Sequence, residues 1–249
     1  TEDSTNVEEE LKAPQNARFE KLPPTHTGIH FSNNISETHR INIITNSYMY
    51  NGGGVAILDA NNDGLQDVFF TSSQESNRLY LNKGDLKFED ISEKANINEN
   101  KKWCTGPTIA DVNGDGWNDI YVCQYGPTKN PKVDRQNLLY INNADGTFSE
   151  KGKEYGLNDW NESTQAAFFD YDKDGDLDCY VMNESKYTLV VLATVFEDLK
   201  KKENLEAASG NLFRNDGGKF TKVTEEAGML KYGYGLGLVV SDINLDGWP

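Results

Sequence analysis

A nine-residue acidic loop is written three times in this chain and begun a fourth time. It reads Asp59-Ala60-Asn61-Asn62-Asp63-Gly64-Leu65-Gln66-Asp67, then Asp111-Val112-Asn113-Gly114-Asp115-Gly116-Trp117-Asn118-Asp119, then Asp170-Tyr171-Asp172-Lys173-Asp174-Gly175-Asp176-Leu177-Asp178. The fourth copy opens with Asp242, Asn244, Asp246 and Gly247, and the sequence stops at Pro249, before its ninth position. One motif in one register, starting at 59, 111, 170 and 242, restricts the chain to an array of similar units. Spacings of this size point to propeller blades or a similar repeat architecture.

The flanks repeat as well. An apolar run precedes each loop: 54–58, Thr108-Ile109-Ala110, 166–169 and Leu238-Val239-Val240. A second follows each complete loop as Val68-Phe69-Phe70, Ile120-Tyr121-Val122 and Cys179-Tyr180-Val181. A third recurs at 78–82, 138–142 and 211–215, each ending in Asn and running into a turn. A fourth begins at Phe88, Phe148 and Phe220, with Asn96, Gly156 or Gly228 eight residues later. Four strands per unit, with the acidic loop between the first two, describe one blade. The expected fold is therefore all-β: a partial β-propeller of four-stranded blades at about 48–98, 103–158 and 163–230, a fourth beginning near 234.

The start of the chain extends this scheme. Residues 1–16 carry few apolar groups and read as a disordered tether. Arg18-Phe19-Glu20-Lys21 mimics the fourth strand, so a closing strand is expected at about 17–35, and 17–249 reads as a fragment of a ring. Residues 195–208 carry apolar residues at 195, 196, 199 and 205, the pattern of an amphipathic helix on the rim.

The loop chemistry is that of a hard cation. Side-chain oxygens at positions 1, 3, 5 and 9, a carbonyl at 7 and glycine at 6 suit Ca²⁺, which takes six or more oxygen ligands. The expected ligands are Asp59, Asn61, Asp63, Leu65 and Asp67; Asp111, Asn113, Asp115, Trp117 and Asp119; and Asp170, Asp172, Asp174, Asp176 and Asp178. Asp242, Asn244 and Asp246 belong to the truncated site. An EF-hand is excluded, because its twelfth position needs a bidentate Glu and this chain has Phe70, Val122 and Val181 there. Asp176 adds a fifth carboxylate to the third loop, so that site is expected to bind most tightly. Extracellular modules with such loops bind at about 10⁻⁴–10⁻³ M.

Net charge is −16, and thirteen acidic residues lie in the four loops. Such a surface does not suit nucleic acid, which needs clustered Lys and Arg. Cys104, Cys123 and Cys179 make an odd count inside apolar runs, so buried free thiols are expected. Asn51-Gly52-Gly53-Gly54 lacks the Lys-Ser/Thr ending of a phosphate loop and reads as tight packing at a strand start. His26, His30 and His39 are close in sequence, but their spacing is a weak zinc signal. Trp103, Tyr125, Trp160 and Tyr187 fall between repeats, where aromatics either pack between blades or stack on sugars.

Segments 51–56, 88–92, 168–172 and 234–242 together resemble the FG-GAP/VCBS repeat of integrin-alpha-like propellers. They are most similar to bacterial VCBS-repeat proteins related to cartilage acidic protein and associated with ASPIC/UnbV domains. The resemblance implies a propeller of seven or a similar number of blades. It further implies an extracytoplasmic location, secreted or anchored at the outer surface as a lipoprotein would be. The expected function is a Ca²⁺-stabilised module binding a protein or glycan through connections 99–107, 124–136, 157–165 and 184–210. Any membrane attachment would come through an N-terminal anchor absent from this sequence. The alternative is a Ca²⁺-dependent polysaccharide lyase or hydrolase whose catalytic residues lie outside the fragment, since no acid–base pair is found here beyond the loops.

Overall fold

The computed structural model describes residues 19–46, 49–97, 102–184, 210–230 and 235–248. Within them the chain is all-β, with three one-turn helices: α1 (Pro24–Thr27), α2 (Pro131–Asp134) and α3 (Gly152–Tyr155). Strands β1 (Val55–Leu58), β2 (Asp67–Phe70), β3 (Arg78–Asn82) and β4 (Phe88–Asp90) make the first sheet. The second contains β5 (Cys104–Ala110), β6 (Asp119–Gln124), β7 (Leu138–Asn142) and β8 (Phe148–Glu150). The third contains β9 (Ser163–Phe169), β10 (Asp178–Asn183), β11 (Asn211–Asn215) and β12 (Phe220–Lys222). Each sheet is antiparallel with its strands in chain order, a meander. Registers repeat too: Val68 faces Tyr80 in the first sheet as Ile120 faces Tyr140 in the second.

Two apolar layers hold the sheets together, and the twofold period of a strand explains both. Ile120 and Val122 on β6 join Leu138 and Tyr140 on β7 against Leu58, Phe69 and Leu79 of the first sheet. The alternate residues, Tyr121 and Cys123 with Leu139 and Ile141, pack instead against Cys179, Val181 and Phe213 of the third. Strands β6 and β7 are thus buried on both faces, which is why they read as unbroken apolar runs. The outer strands β4, β8 and β12 keep only their leading Phe inward and turn polar residues out.

Small devices close each unit. Asn96, Gly156 and Gly228 all take left-handed φ values, +60°, +85° and +68°. This conformation favours Gly and Asn, so the eight-residue spacing marks a backbone requirement. The glycine run before β1 allows two close approaches: a Cβ on Gly54 would lie 2.2 Å from Pro107 Cδ in the second sheet, and one on Gly53 2.1 Å from the Thr71 carbonyl oxygen within the first. All three cysteines are buried free thiols, and burial raises Cys104 to about 11, far from a reactive thiolate.

Two strands depart from the sequence reading. Strands β5 and β9 begin earlier than their apolar runs, at Cys104 and Ser163. Gly106 and Pro107 hid the start of β5, and the register shifts between Cys104 and Pro107 because proline cannot donate to the ladder. Residues 19–23 form no strand, and Phe19 is 90 % exposed. Residues 238–240 likewise pair with no described strand. Further along, 28–36 lies against the first sheet, with Phe31 stacked on Phe70 at 4.8 Å and Asn33 Oδ1 accepting the Ser73 N–H. The tether at 1–16, the helical pattern at 195–208 and Tyr187 fall outside the described residues.

Candidate metal centres

Each acidic loop joins the first strand of a sheet to the second, and its first residue organises it from within. Asp59 Oδ1 accepts the Asp63 N–H (3.1 Å) and Oδ2 the Gly64 N–H (2.8 Å). Asp111 does the same for Asp115 and Gly116, Asp170 for Asp174 and Gly175, and Asp242 for Asp246 and Gly247. Position 5 then accepts the N–H of position 7: Asp63 from Leu65, Asp115 from Trp117, Asp174 from Asp176, Asp246 from Trp248. Four loops therefore share one hydrogen-bonded frame that gathers positions 1, 3 and 5 at its mouth. Position 4 needs a left-handed backbone, met by Asn62, Gly114, Lys173 and Leu245.

Position 3 divides the loops. Asn61 Nδ2 donates to Asp63 Oδ2 at 2.9 Å, Asn113 Nδ2 to Asp115 at 2.8 Å and Asn244 Nδ2 to Asp246 at 2.9 Å. These bonds hold the Asp63 and Asp246 carboxyls below the ordinary carboxylate range, with the position-7 N–H adding to the effect. The third loop has Asp172 there instead. Its Asp170, Asp172 and Asp174 are the one group of three such side chains, among the described residues, whose ligand atoms lie within 4.8 Å of one another. The three histidines make no such group.

Position 9 sits elsewhere. Asp67, Asp119 and Asp178 open β2, β6 and β10 and are fully buried. Asp67 Oδ2 accepts the Ala60 N–H (2.8 Å) and Oδ1 the Asn82 N–H (2.7 Å). Asp119 holds Val112 and Asn142 in the same way, and Asp178 holds Tyr171 and Asn215. The ninth aspartate thus staples the loop to the third strand while each oxygen keeps a lone pair. Burial raises all three carboxyls, Asp119 to about 6, against the pull of those N–H groups.

The third-strand asparagines support the loops, a role that the sequence displayed without assigning. Asn82, Asn142 and Asn215 give their N–H to the ninth aspartate and their Nδ2 to a loop carbonyl: Gln66, Asn118 and Leu177. Their Oδ1 atoms accept N–H groups from the following turn, at Gly84, Ala144 and Gly218. Recurrence of Asn at one repeat position was the available signal.

The donor set fits a divalent cation. Every loop offers oxygens alone, the preference of a hard ion. In the third loop Asp176 Oδ1 is shut off from solvent with no hydrogen-bond partner. Burial raises the Asp176 carboxyl, and the Asp174 and Asp172 carboxylates push it the same way. A buried, unpaired carboxylate oxygen among like charges is what a bound cation relieves.

A second feature lies at the other end of the second sheet. Trp103 stands just before β5, and Tyr125–Thr128 follow β6, each a strand's length from the acidic loops. With Gln74, Lys102, Val133 and Arg135 they line a cleft of about 600 Å³. Arg135 is fixed by Glu162 at 2.7 Å and by the Gly126 carbonyl at 3.0 Å. Trp103 and Tyr125 meet edge to face at 6.4 Å, and Lys132 lies 5.2 Å over the Trp160 ring.

A family description, the FG-GAP-like repeat, matches residues 59–122 and 131–181. The two matched stretches together cover a little under half of the chain. The first matched stretch begins at Asp59 and the second ends at Val181, so both rest on the acidic loops and the strands that flank them. No curated protein matches the chain.

Proposed function

We propose that this chain is part of an extracytoplasmic, Ca²⁺-stabilised β-propeller that binds a protein or glycan partner. The three sheets are its consecutive blades, and residues 235–248 open a fourth. The observation that carries the reading is the common frame of the four loops, which brings positions 1, 3 and 5 together at solvent in each. The ninth aspartate ties every complete loop to its blade, so a cation there would stiffen the sheet as well as the loop. Three or four such ions would offset six to eight of the net negative charges and relieve repulsion within each loop.

The binding face in this reading is the end opposite the loops, where the Trp103–Tyr125 cleft lies. Its mix of indole, phenol, amide and guanidinium groups is of the kind that orients a ligand through a few polar contacts on an apolar wall. A Ca²⁺ titration followed by EDTA tests the metal half: the melting temperature should rise with Ca²⁺ and fall sharply on chelation. A melting temperature indifferent to both overturns it. A glycan and protein array probed with the chain and its Trp103→Ala variant tests the other half, and a partner retained equally by both moves the binding face elsewhere.

A further inference from the structure

We propose that the first and second acidic loops bind cations as a coupled pair, whereas the third binds independently of that pair. The proposal rests on the cation reading above and concerns how the sites communicate. Three amide side chains join the first two loops. Asn118, eighth in the second loop, donates through Nδ2 to the carbonyl of Asp59, the first ligand residue of the first loop, at 3.1 Å. Asn62, fourth in the first loop, donates to the Gly116 carbonyl of the second at 3.2 Å. Asn142 Nδ2 then reaches both, with the Ala60 carbonyl at 2.9 Å and the Asn118 carbonyl at 3.3 Å. Its own N–H holds Asp119 Oδ1 at 2.8 Å.

The seam between the second and third loops lacks these donors. The residue equivalent to Asn62 is Gly114, and the residue equivalent to Asn118 is Leu177, so neither side chain can donate. Asn215 is the counterpart of Asn142, yet among the described residues its Nδ2 reaches only Leu177, in its own repeat.

A loop of mutually repelling carboxylates stays adjustable until a cation orders it. Ordering the first loop fixes the Asp59 and Ala60 carbonyls, and with them Asn118, Asn142 and the Asp119 carboxylate of the second. A cation entering the second loop then meets a site already arranged and loses less conformational freedom on binding. By linkage the effect runs equally in the other direction.

The test uses Tb³⁺ as the cation, with luminescence sensitised by Trp117 at position 7 of the second loop. The part of the signal lost in a Trp117→Phe variant, which keeps the backbone carbonyl, reports that loop alone. Disabling the first loop with Asp63→Ala should lower Tb³⁺ affinity at the second about fivefold, within the usual range of coupling between sites. Asp172→Ala in the third loop should leave it unchanged. In an Asn62→Gly/Asn118→Leu background, where only the Asn142 bridge to the Ala60 carbonyl remains, Asp63→Ala should have a clearly smaller effect on the second loop. Both background changes install what the chain already uses at equivalent positions: Gly114 has φ +71° where Asn62 has +55°, and Leu177 replaces Asn118. Circular dichroism checks that each variant keeps its β-signature. The coupling is overturned if Asp63→Ala leaves the second loop unaffected, or if Asp172→Ala weakens it equally. No Trp117-sensitised signal at any Tb³⁺ concentration overturns the cation reading itself.

Discussion

Asp119 shows how much one side chain does in this fold. Its carboxylate accepts the N–H of Val112 and that of Asn142, and it is fully buried. Asp119→Asn should cost roughly 2 kcal/mol in urea unfolding, because an amide NH₂ replaces one acceptor and faces a backbone donor. The pH dependence follows from the same burial. The folded carboxyl titrates near 6, against an ordinary 3.8. A group raised in this way contributes stability below pH 4 and loses it as pH rises through 6. In EDTA, the difference in stability between parent and variant should therefore shrink between pH 4 and 6. Glu184 gives a second case, away from the loops. It is 4 % exposed, its Oε2 has no hydrogen-bond partner, and burial lifts its carboxyl to about 7 despite a hydrogen bond from Tyr125. Glu184→Gln should raise the melting temperature by about 2–4 °C at pH 8, and the gain should vanish near pH 4.5. The sequence marked Asp119 as a ligand position and assigned Glu184 nothing; the titration of both depends on the burial that the folded chain imposes.

At the scale of the element, the loop, the second strand and the third-strand asparagine form one unit. The ninth aspartate and the asparagine meet across a strand pair, at separations of 15, 23 and 37 residues in the three repeats. The loops themselves were legible, because their carboxylates, glycine and left-handed position are local requirements. The asparagine's role was not, since it exists only once β3 lies beside β2. The glycines divide the same way. Gly54 faces another sheet, and Gly54→Ala should lose about 3 kcal/mol or more, at the upper end of the usual cost of overpacking. Gly64 has open space around its missing Cβ and a φ of +84°, so Gly64→Ala should cost roughly 1–2 kcal/mol through backbone strain alone. Thermal unfolding of the two variants under identical Ca²⁺ separates the two causes.

Across the whole molecule, stability should be graded from the inner strands outward. Strands β6 and β7 are buried along their entire length, whereas β4 and β12 expose two of three residues. Amide exchange should accordingly be slowest in 120–123 and 138–141 and fastest in 88–90 and 220–222, and Ca²⁺ should slow it most around 59–67, 111–119 and 170–178. Equal exchange rates in inner and outer strands would contradict that grading. By itself the sequence determined the repeat, the four strands of each unit and the oxygen-rich loops, because period, turn chemistry and ligand spacing are properties of short stretches of chain. Only the tertiary structure decided which face of β6 meets which sheet, that the ninth aspartate is a buried staple, and that the first two loops share hydrogen bonds the third lacks. Those features join residues that are far apart in the chain, and they arise only when sheets pack at close range.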